Sequence, residues 1–563
     1  MTRSMTGKFL ASLLATAALS ACAGMPQGNV AEIQLLAIND FHGNLETPQR
    51  AETYLDDDGV ERTQRLGGAA ALAGTLTRLR REDSVTVAAG DLIGASPLAS
   101  GLFLDEPAIH VLFAMGLDIA SVGNHEFDRG TSELLRIAGG GCEQFTRREP
   151  CGLEPYRGAG FAYLAANVVS ESGDTLLPAT TIRDIGGARV GFVGLTLEST
   201  PALVAGSATQ GYTFEDEAES ANRYAAALHA EGADAVVLLI HEGADMAPEF
   251  TTMGCPLAGG ELVGIVGRLS ADIGLVISGH THDAYVCRMR NAGGGDVLVT
   301  SGGRYGGFVT DIALSVDMAA DRVVSARAHN VPVDPAGDTD PEVAGIVARY
   351  VTAAGPVADR AVGTISGTEV IEEDCGDKPA QGFVADAYLH AANAALDDTV
   401  DLAVVNSGGV RTDLAGADDG VLTYGELAAM APFGNGVLVV AMTGAQVQAL
   451  LEQQICEVNG AATICDSVLI PSADVAYAID LGAPEGERIG NLMLGGAPLD
   501  LARTYRLATN SYLVGGGDGF TLFTEVEEVA NVGFDIDAID AYVAAGDLVV
   551  PSCGRVRGVP AID

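Results

Sequence analysis

The sequence predicts an α/β protein of two domains, the first a strand–helix alternation. Three observations carry this. Apolar, strand-like runs alternate with segments of helical period up to about Asp334. A stretch crowded with Pro332, Asp334, Pro335, Gly337, Asp338, Asp340 and Pro341 then breaks the pattern and reads as a linker. The chain has 563 residues, more than one hydrophobic core organises.

The N-terminus reads as a leader. Arg3 and Lys8 supply basic charge, and Phe9 to Ala21 is apolar or small, too short a run to cross ~30 Å of hydrocarbon. It ends Leu19–Ser20–Ala21–Cys22, which resembles a bacterial lipobox. The resemblance implies a signal peptide over 1–21, cleavage before Cys22, lipid on its thiol and a tether over 22–30. The alternative is an ordinary secretory signal with an incidental cysteine. Either way the chain is expected to be exported to the periplasmic face of the envelope, with membrane contact only through that lipid.

Export permits disulfides. Setting Cys22 aside leaves Cys142, Cys151, Cys255, Cys287, Cys375, Cys456, Cys465 and Cys553, which allow about 105 pairings. Short separations favour Cys142–Cys151 and Cys456–Cys465; Cys255–Cys287 and Cys375–Cys553 then follow by elimination. None has Cys-x-x-Cys spacing, so all read as structural. Asp plus Glu number 75 against 31 Lys plus Arg, a net charge of −44. That argues against a nucleic-acid polymer as partner, because phosphate backbones need a basic footprint. It leaves room for a small phosphate ester and otherwise reads as a solvated surface.

Within the first domain, placed at 31–334, strands end on chemistry-bearing residues. Ile33 to Ile38 runs into Asn39–Asp40–Phe41–His42–Gly43–Asn44, where alternation along an extended chain would put Asp40 and His42 on one side. Arg65 to Arg80 has helical period, and Val85 to Ala89 is a strand ending Gly90–Asp91. Pro107 to Met115 reads as a helix, and Asp118 to Val122 as a strand running into Gly123–Asn124–His125–Glu126–Phe127–Asp128. Ala162 to Val169 and Ala188 to Leu195 are further strands, and 218–231 a helix. Ala233 to Ile240 and Ile273 to Ser278 are nearly continuous apolar runs, as buried strands are; they end at His241–Glu242–Gly243 and Gly279–His280–Thr281–His282. Val297 to Thr300 and Phe308 to Val316 close the domain. A linker with a helix from Pro341 to Ala353 fills 335–361, and the second domain occupies 362–563.

Five of the nine histidines fall at these strand ends. Open α/β sheets place their sites there, and crowding imidazoles with carboxylates is costly unless cations compensate. The blocks beginning at Asn39, Gly90, Gly123, His241 and Gly279 resemble the five blocks of the calcineurin-like metallophosphoesterases. The first and third resemble more narrowly those of the 5′-nucleotidase family. The resemblance implies an N-terminal four-layer α/β/β/α metallophosphoesterase sandwich, a linker helix and a C-terminal α+β 5′-nucleotidase domain. It implies two divalent ions (Zn, Mn, Co or Fe), one held by Asp40, His42, Asp91 and His282, the other by Asp91, Asn124, His241 and His280. His125 is then no ligand but sits at the scissile phosphate, oriented by Asp128. Glu126 has no implied ligand role.

The second domain carries Asn406–Ser407–Gly408–Gly409–Val410–Arg411, Pro432–Phe433–Gly434–Asn435, and Tyr512 six residues before Asp518 in a glycine-rich run. Two aromatics from separate loops can sandwich a flat base, Asp518 can accept from ribose hydroxyls, and Arg411 can meet a phosphate. The resemblance implies Phe433 and Tyr512 as base clamp, with Asn406, Arg411, Asn435 and Asp518 as polar contacts. Two departures stand out. Tyr512 occupies a place where many 5′-nucleotidases carry Phe, and an expected phosphate-binding Arg near the domain start is missing, with Lys378 nearby. The expected activity is release of phosphate from nucleoside 5′-monophosphates, with other nucleotides and UDP-sugars as further candidates. The alternative is a 2′,3′-cyclic-nucleotide phosphodiesterase or a sulfur-ester hydrolase of the same family. The resemblance also implies that the second domain rotates about the linker helix.

Overall fold

A computed structural model describes residues 30–204, 208–370, 375–414, 419–458, 461–465 and 467–559. The leader and Cys22 lie outside the described residues. Among these residues no helix is long and apolar enough to cross a membrane.

Two six-stranded sheets form the first half. One runs in the order 322–332, 308–317, 30–38, 85–89, 119–121, 162–164, and the other 284–290, 296–302, 273–277, 235–241, 188–196, 180–185. The last four strands of the first sheet and the middle four of the second pair in parallel, with antiparallel strands at the edges. The two-residue period explains the apolar runs. Leu35 and Ala37 face the second sheet, where they meet Val237 and Leu239 in one buried cluster. Leu36 and Ile38 face outward under the helices Ala69–Leu79 and Glu106–Ala114. In the second sheet Val236, Leu238 and Ile240 lie under the helix Glu217–Ala230. Both faces of both sheets are thus covered, which gives the four layers α/β/β/α.

The helix Pro341–Ala358 is longer than expected. It buries Val343, Ile346, Tyr350 and Ala354 against the first sheet's outer helices. The second half holds a five-stranded mixed sheet in the order 469–471, 402–406, 504–510, 436–443, 527–534, with the helices 379–395 and 535–544 packed on it. Its core runs from Ile365 to Val559 and includes Leu98 from the first half. All four disulfides form: Cys142–Cys151, Cys255–Cys287, Cys375–Cys553 and Cys456–Cys465.

Two local expectations are corrected. Asp40 and His42 do not share a side of an extended chain; both have left-handed backbone, φ 49° and 46°. The stretch 162–169 is two short strands, 162–164 and 168–170. The break falls at Asn167, whose amide bonds Thr196 and Glu215.

Candidate active site

The strand ends of both sheets meet at one edge. Asp40, His42 and His282 present ligand atoms within 4.8 Å of one another, as do Asp91, His241 and His280, and His42, Asp91 and His125 form a third such group between them. Asn124 joins through its Oδ1, 3.1 Å from His241 Nε2. All seven residues expected around the ions therefore converge. Five of them, Asp40, His42, Asp91, His280 and His282, have positive φ between 46° and 73°. Such backbone is unfavourable for non-glycine residues and clusters where function holds it. The loops touch closely enough that a side chain at Gly123 would lie 2.2 Å from Asp91 Oδ1.

The electrostatics of this cluster ask for positive charge. His42 Nδ1–H donates to the Gly94 carbonyl at 2.9 Å. Its Nε2 lone pair then faces Asp91 Oδ2 at 3.6 Å and Asp40 Oδ1 at 3.9 Å. Burial lowers the pKa of His42 and of His280 to about 3, and that of His282 well below the usual range, so these imidazoles are neutral donors of electron pairs. Burial pushes Asp40 up to about 7. For His241 burial alone would lower the pKa, yet Asp91 at 3.0 Å outweighs it and pushes it up to about 10. Three neutral imidazoles, a fourth whose proton a cation beside Asp91 would displace, carboxylates and an amide oxygen converging in a buried site fit two divalent transition ions.

His125 stands beside the cluster. Its Nδ1 lies 2.9 and 3.1 Å from the Asp128 carboxylate. Burial disfavours its charge, but Asp128 and Asp91 outweigh that and raise its pKa. Across from it stands the second domain. Phe433 is stacked on His125, ring centroids 5.7 Å apart and planes 17° off parallel, and the Arg411 guanidinium lies 5.6 Å from the Phe433 ring centre. A single cavity of about 1380 Å³ is lined by Asn124, His125, Asp128 and His280 together with all six expected substrate residues, Asn406, Arg411, Phe433, Asn435, Tyr512 and Asp518. Asn406 Nδ2 donates to Asp518 at 2.9 Å, and the Tyr512 hydroxyl donates to the other Asp518 oxygen. Lys378 does not line this cavity; it precedes the helix 379–395, its backbone N–H donating to Gln381.

Sequence reasoning gave no role to three neighbours. Asn39 donates to Asp40 at 2.6 Å and to the Gly303 carbonyl, fixing that carboxylate. Glu126 accepts from the loops that carry Asp91 and Gly123. The Tyr305 ring packs edge-on against His42 and His282. Asn39 and Glu126 lie inside the motif blocks, so position was a signal; Tyr305 had none.

Residues 357–525 match the family model described as 5′-nucleotidase, C-terminal domain. The chain is 28% identical to the cell wall protein Lmo0130 of Listeria monocytogenes over 95% of its own length and 70% of that protein's. It is 28% identical to the endonuclease YhcR of Bacillus subtilis over 87% of its length but only 37% of that protein's. It is 24% identical to the NAD 5′-nucleotidase of Haemophilus influenzae over 88% and 87%. A 5′-nucleotidase precursor from Thermus thermophilus superposes with a TM-score of 0.73 at 22% identity, covering 94% of this chain and 99% of that one. The sulfate thiohydrolase SoxB of the same genus superposes at 0.69 and 19%, covering 96% and 97%. These structures speak for the fold. The matched domain and the curated relatives show that the chain belongs to the 5′-nucleotidase family of two-metal phosphoester hydrolases, and the convergent His/Asp cluster fits that assignment.

Proposed function

We propose that this chain is an exported phosphohydrolase that releases phosphate from nucleoside 5′-monophosphates, anchored through lipid at Cys22. Residues 31–334 would carry the ions and 362–563 the nucleotide. The observation that supports this most is the shared cavity: base clamp, Arg411 and His125 line the same space above the metal-ligand cluster.

Asp40, His42, Asp91 and His282 would hold one ion and Asp91, Asn124, His241 and His280 the other. When bound, such a pair activates water and neutralises charge at phosphorus. The remaining work falls to side chains. Phe433 and Tyr512 stack the base. Arg411 binds phosphoryl oxygen through its planar fork. His125, its Nδ1–H given to Asp128, turns Nε2 to the cavity, and its raised pKa suits it to donate a proton or hydrogen bond to the departing oxygen.

A second reading, hydrolysis of 2′,3′-cyclic nucleotides, has one observation in its favour. Asp518, the expected ribose contact, already receives Tyr512 and Asn406, which suits a ribose whose hydroxyls are esterified. Phosphate release from AMP, UDP-glucose, 2′,3′-cyclic AMP and bis(p-nitrophenyl) phosphate, with chelator controls, tests both. The first reading expects the highest kcat/KM on AMP; a preference for the cyclic ester supports the second, and chelator-insensitive turnover refutes both.

A further inference from the structure

Glu126 is 2% exposed and, among the described residues, has no cation in hydrogen-bond contact with it. Its Oε2 accepts the backbone N–H of Asp91 at 3.0 Å and of Gly123 at 2.5 Å, and its Oε1 accepts Leu92 N–H at 2.9 Å and the Tyr163 hydroxyl at 3.4 Å. The carboxylate therefore joins two loops from adjacent parallel strands, Val85–Ala89 and Ile119–Ser121. Asp91 has φ 49°, so its N–H and that of Leu92 converge on one point, the concave arrangement of successive amides that binds an anion. On the opposite side the His125 N–H donates to Asp91 Oδ1 at 2.9 Å. Asp91 is thus held from both sides, its backbone by the Glu126 side chain and its carboxylate by the amide one residue earlier in the chain than Glu126.

We propose that Glu126 is a positioning residue: an internal hydrogen-bond acceptor that locks the Asp91 and Gly123 loops together and so sets the one carboxylate expected to serve both ions. This rests on the metal-ligand roles proposed above. A shared ligand tolerates little displacement, because it must satisfy two ions at once. An apolar side chain at 126 would leave three converging N–H groups without an acceptor; glutamine keeps one oxygen but turns an NH2 donor toward either Leu92 N–H or the Asp91 and Gly123 N–H pair, which loosens the left-handed turn at Asp91. Partners of metal ligands at this remove change metal affinity by about 10- to 100-fold when altered.

The test is Mn²⁺ titration of full-length wild type and Glu126→Gln, read by bound stoichiometry and by electron paramagnetic resonance. Wild type is expected to take up two ions with a spin-coupled spectrum. Glu126→Gln is expected to bind at least one ion about 10- to 100-fold more weakly and to show an uncoupled spectrum at two equivalents, while its folded fraction keeps a wild-type circular dichroism signal. If Glu126→Gln does not accumulate folded, Glu126→Asp, which keeps the charge one methylene short, is read the same way. Tyr163→Phe, which removes one donor and leaves the carboxylate, should retain the coupled pair. A Glu126 variant with wild-type stoichiometry, affinity and coupling overturns the inference alone. A wild-type protein without a coupled pair overturns it together with the proposed function.

Discussion

Replacing Gly517 by alanine should unhook the base clamp without touching the metal cluster. A Cβ at this position would lie 2.4 Å from Tyr512 Cζ and 2.5 and 2.6 Å from the two Cε atoms. Carbon atoms pack at roughly 3.5–4.0 Å, so the ring must retreat by about 1 Å or rotate away. Either motion also disturbs the hydrogen bond from the Tyr512 hydroxyl to Asp518. Gly517 is not among the residues with positive φ, so the effect is steric rather than backbone strain. Base stacking on one aromatic is worth roughly 1–3 kcal/mol, and about 1.36 kcal/mol is tenfold, so kcat/KM for AMP should fall by about 5- to 150-fold. Ribose 5-phosphate has no base to stack. The assay is steady-state phosphate release from both esters at fixed Mn²⁺, with bound metal measured alongside. The expected outcome is a large loss on AMP, little change on ribose 5-phosphate and unchanged metal content. Equal losses on both esters, or an AMP value within twofold of wild type, would refute the clamp assignment of Tyr512.

Three further outcomes follow from the same geometry. His125→Ala should lose about 10²- to 10⁴-fold in kcat, the range for a positioned acid–base group, yet keep its bound metal; full turnover in that variant removes the role given to His125. Asp105→Asn should destabilise the fold by about 3–5 kcal/mol at pH 7, because it strands the Arg129 guanidinium that Asp105 pairs at 2.6 Å. Asparagine tolerates the φ of 62° there. Burial disfavours the Asp105 charge, but Arg129 and its other hydrogen bonds outweigh it and lower the pKa. A depressed carboxyl stabilises above its ordinary range and loses that contribution on acidification, so the gap between variant and wild type in urea melts should close below about pH 4; a constant gap contradicts the ion-pair account. Arg147→Ala should cost about 0.5–1 kcal/mol in thermal melts, since its guanidinium lies 3.6 Å from the Phe534 ring centre and reaches from the Cys142–Cys151 loop of the first half to the second.

Much of the fold was legible because both sheets are buried on both faces. Ala235–His241 and Ile273–Ile277 read as strands from their unbroken apolar runs; the first ends on His241 and the second stops three residues before His280. Strand tips with histidine or aspartate marked the cluster before any contact was known. The turn geometry was not legible. Alternation describes an extended chain, whereas Asp40 and His42 reach the same place through left-handed backbone, which a pattern of apolar and polar residues does not announce. Nor was the hairpin Glu52–Leu55 with Glu61–Gln64 anticipated; its polar, mostly exposed strands give no apolar period. Glu126 carried no implied ligand role, and its bond to Asp91 was not legible because two of its amide partners lie 34 and 35 residues away. The pairs Cys142–Cys151 and Cys456–Cys465 followed from separations of 9, while Cys375–Cys553, at 178, could only be inferred by exclusion.

Metal analysis of the purified protein bears most directly on the central claim. After chelation and dialysis against zinc or manganese, the account predicts two equivalents of tightly held ion per chain, recovery of phosphate release in proportion to uptake, and a thermal midpoint that rises with loading. A chain that stays metal-free under those conditions, or that hydrolyses nucleotides at full rate without the ions, would contradict it.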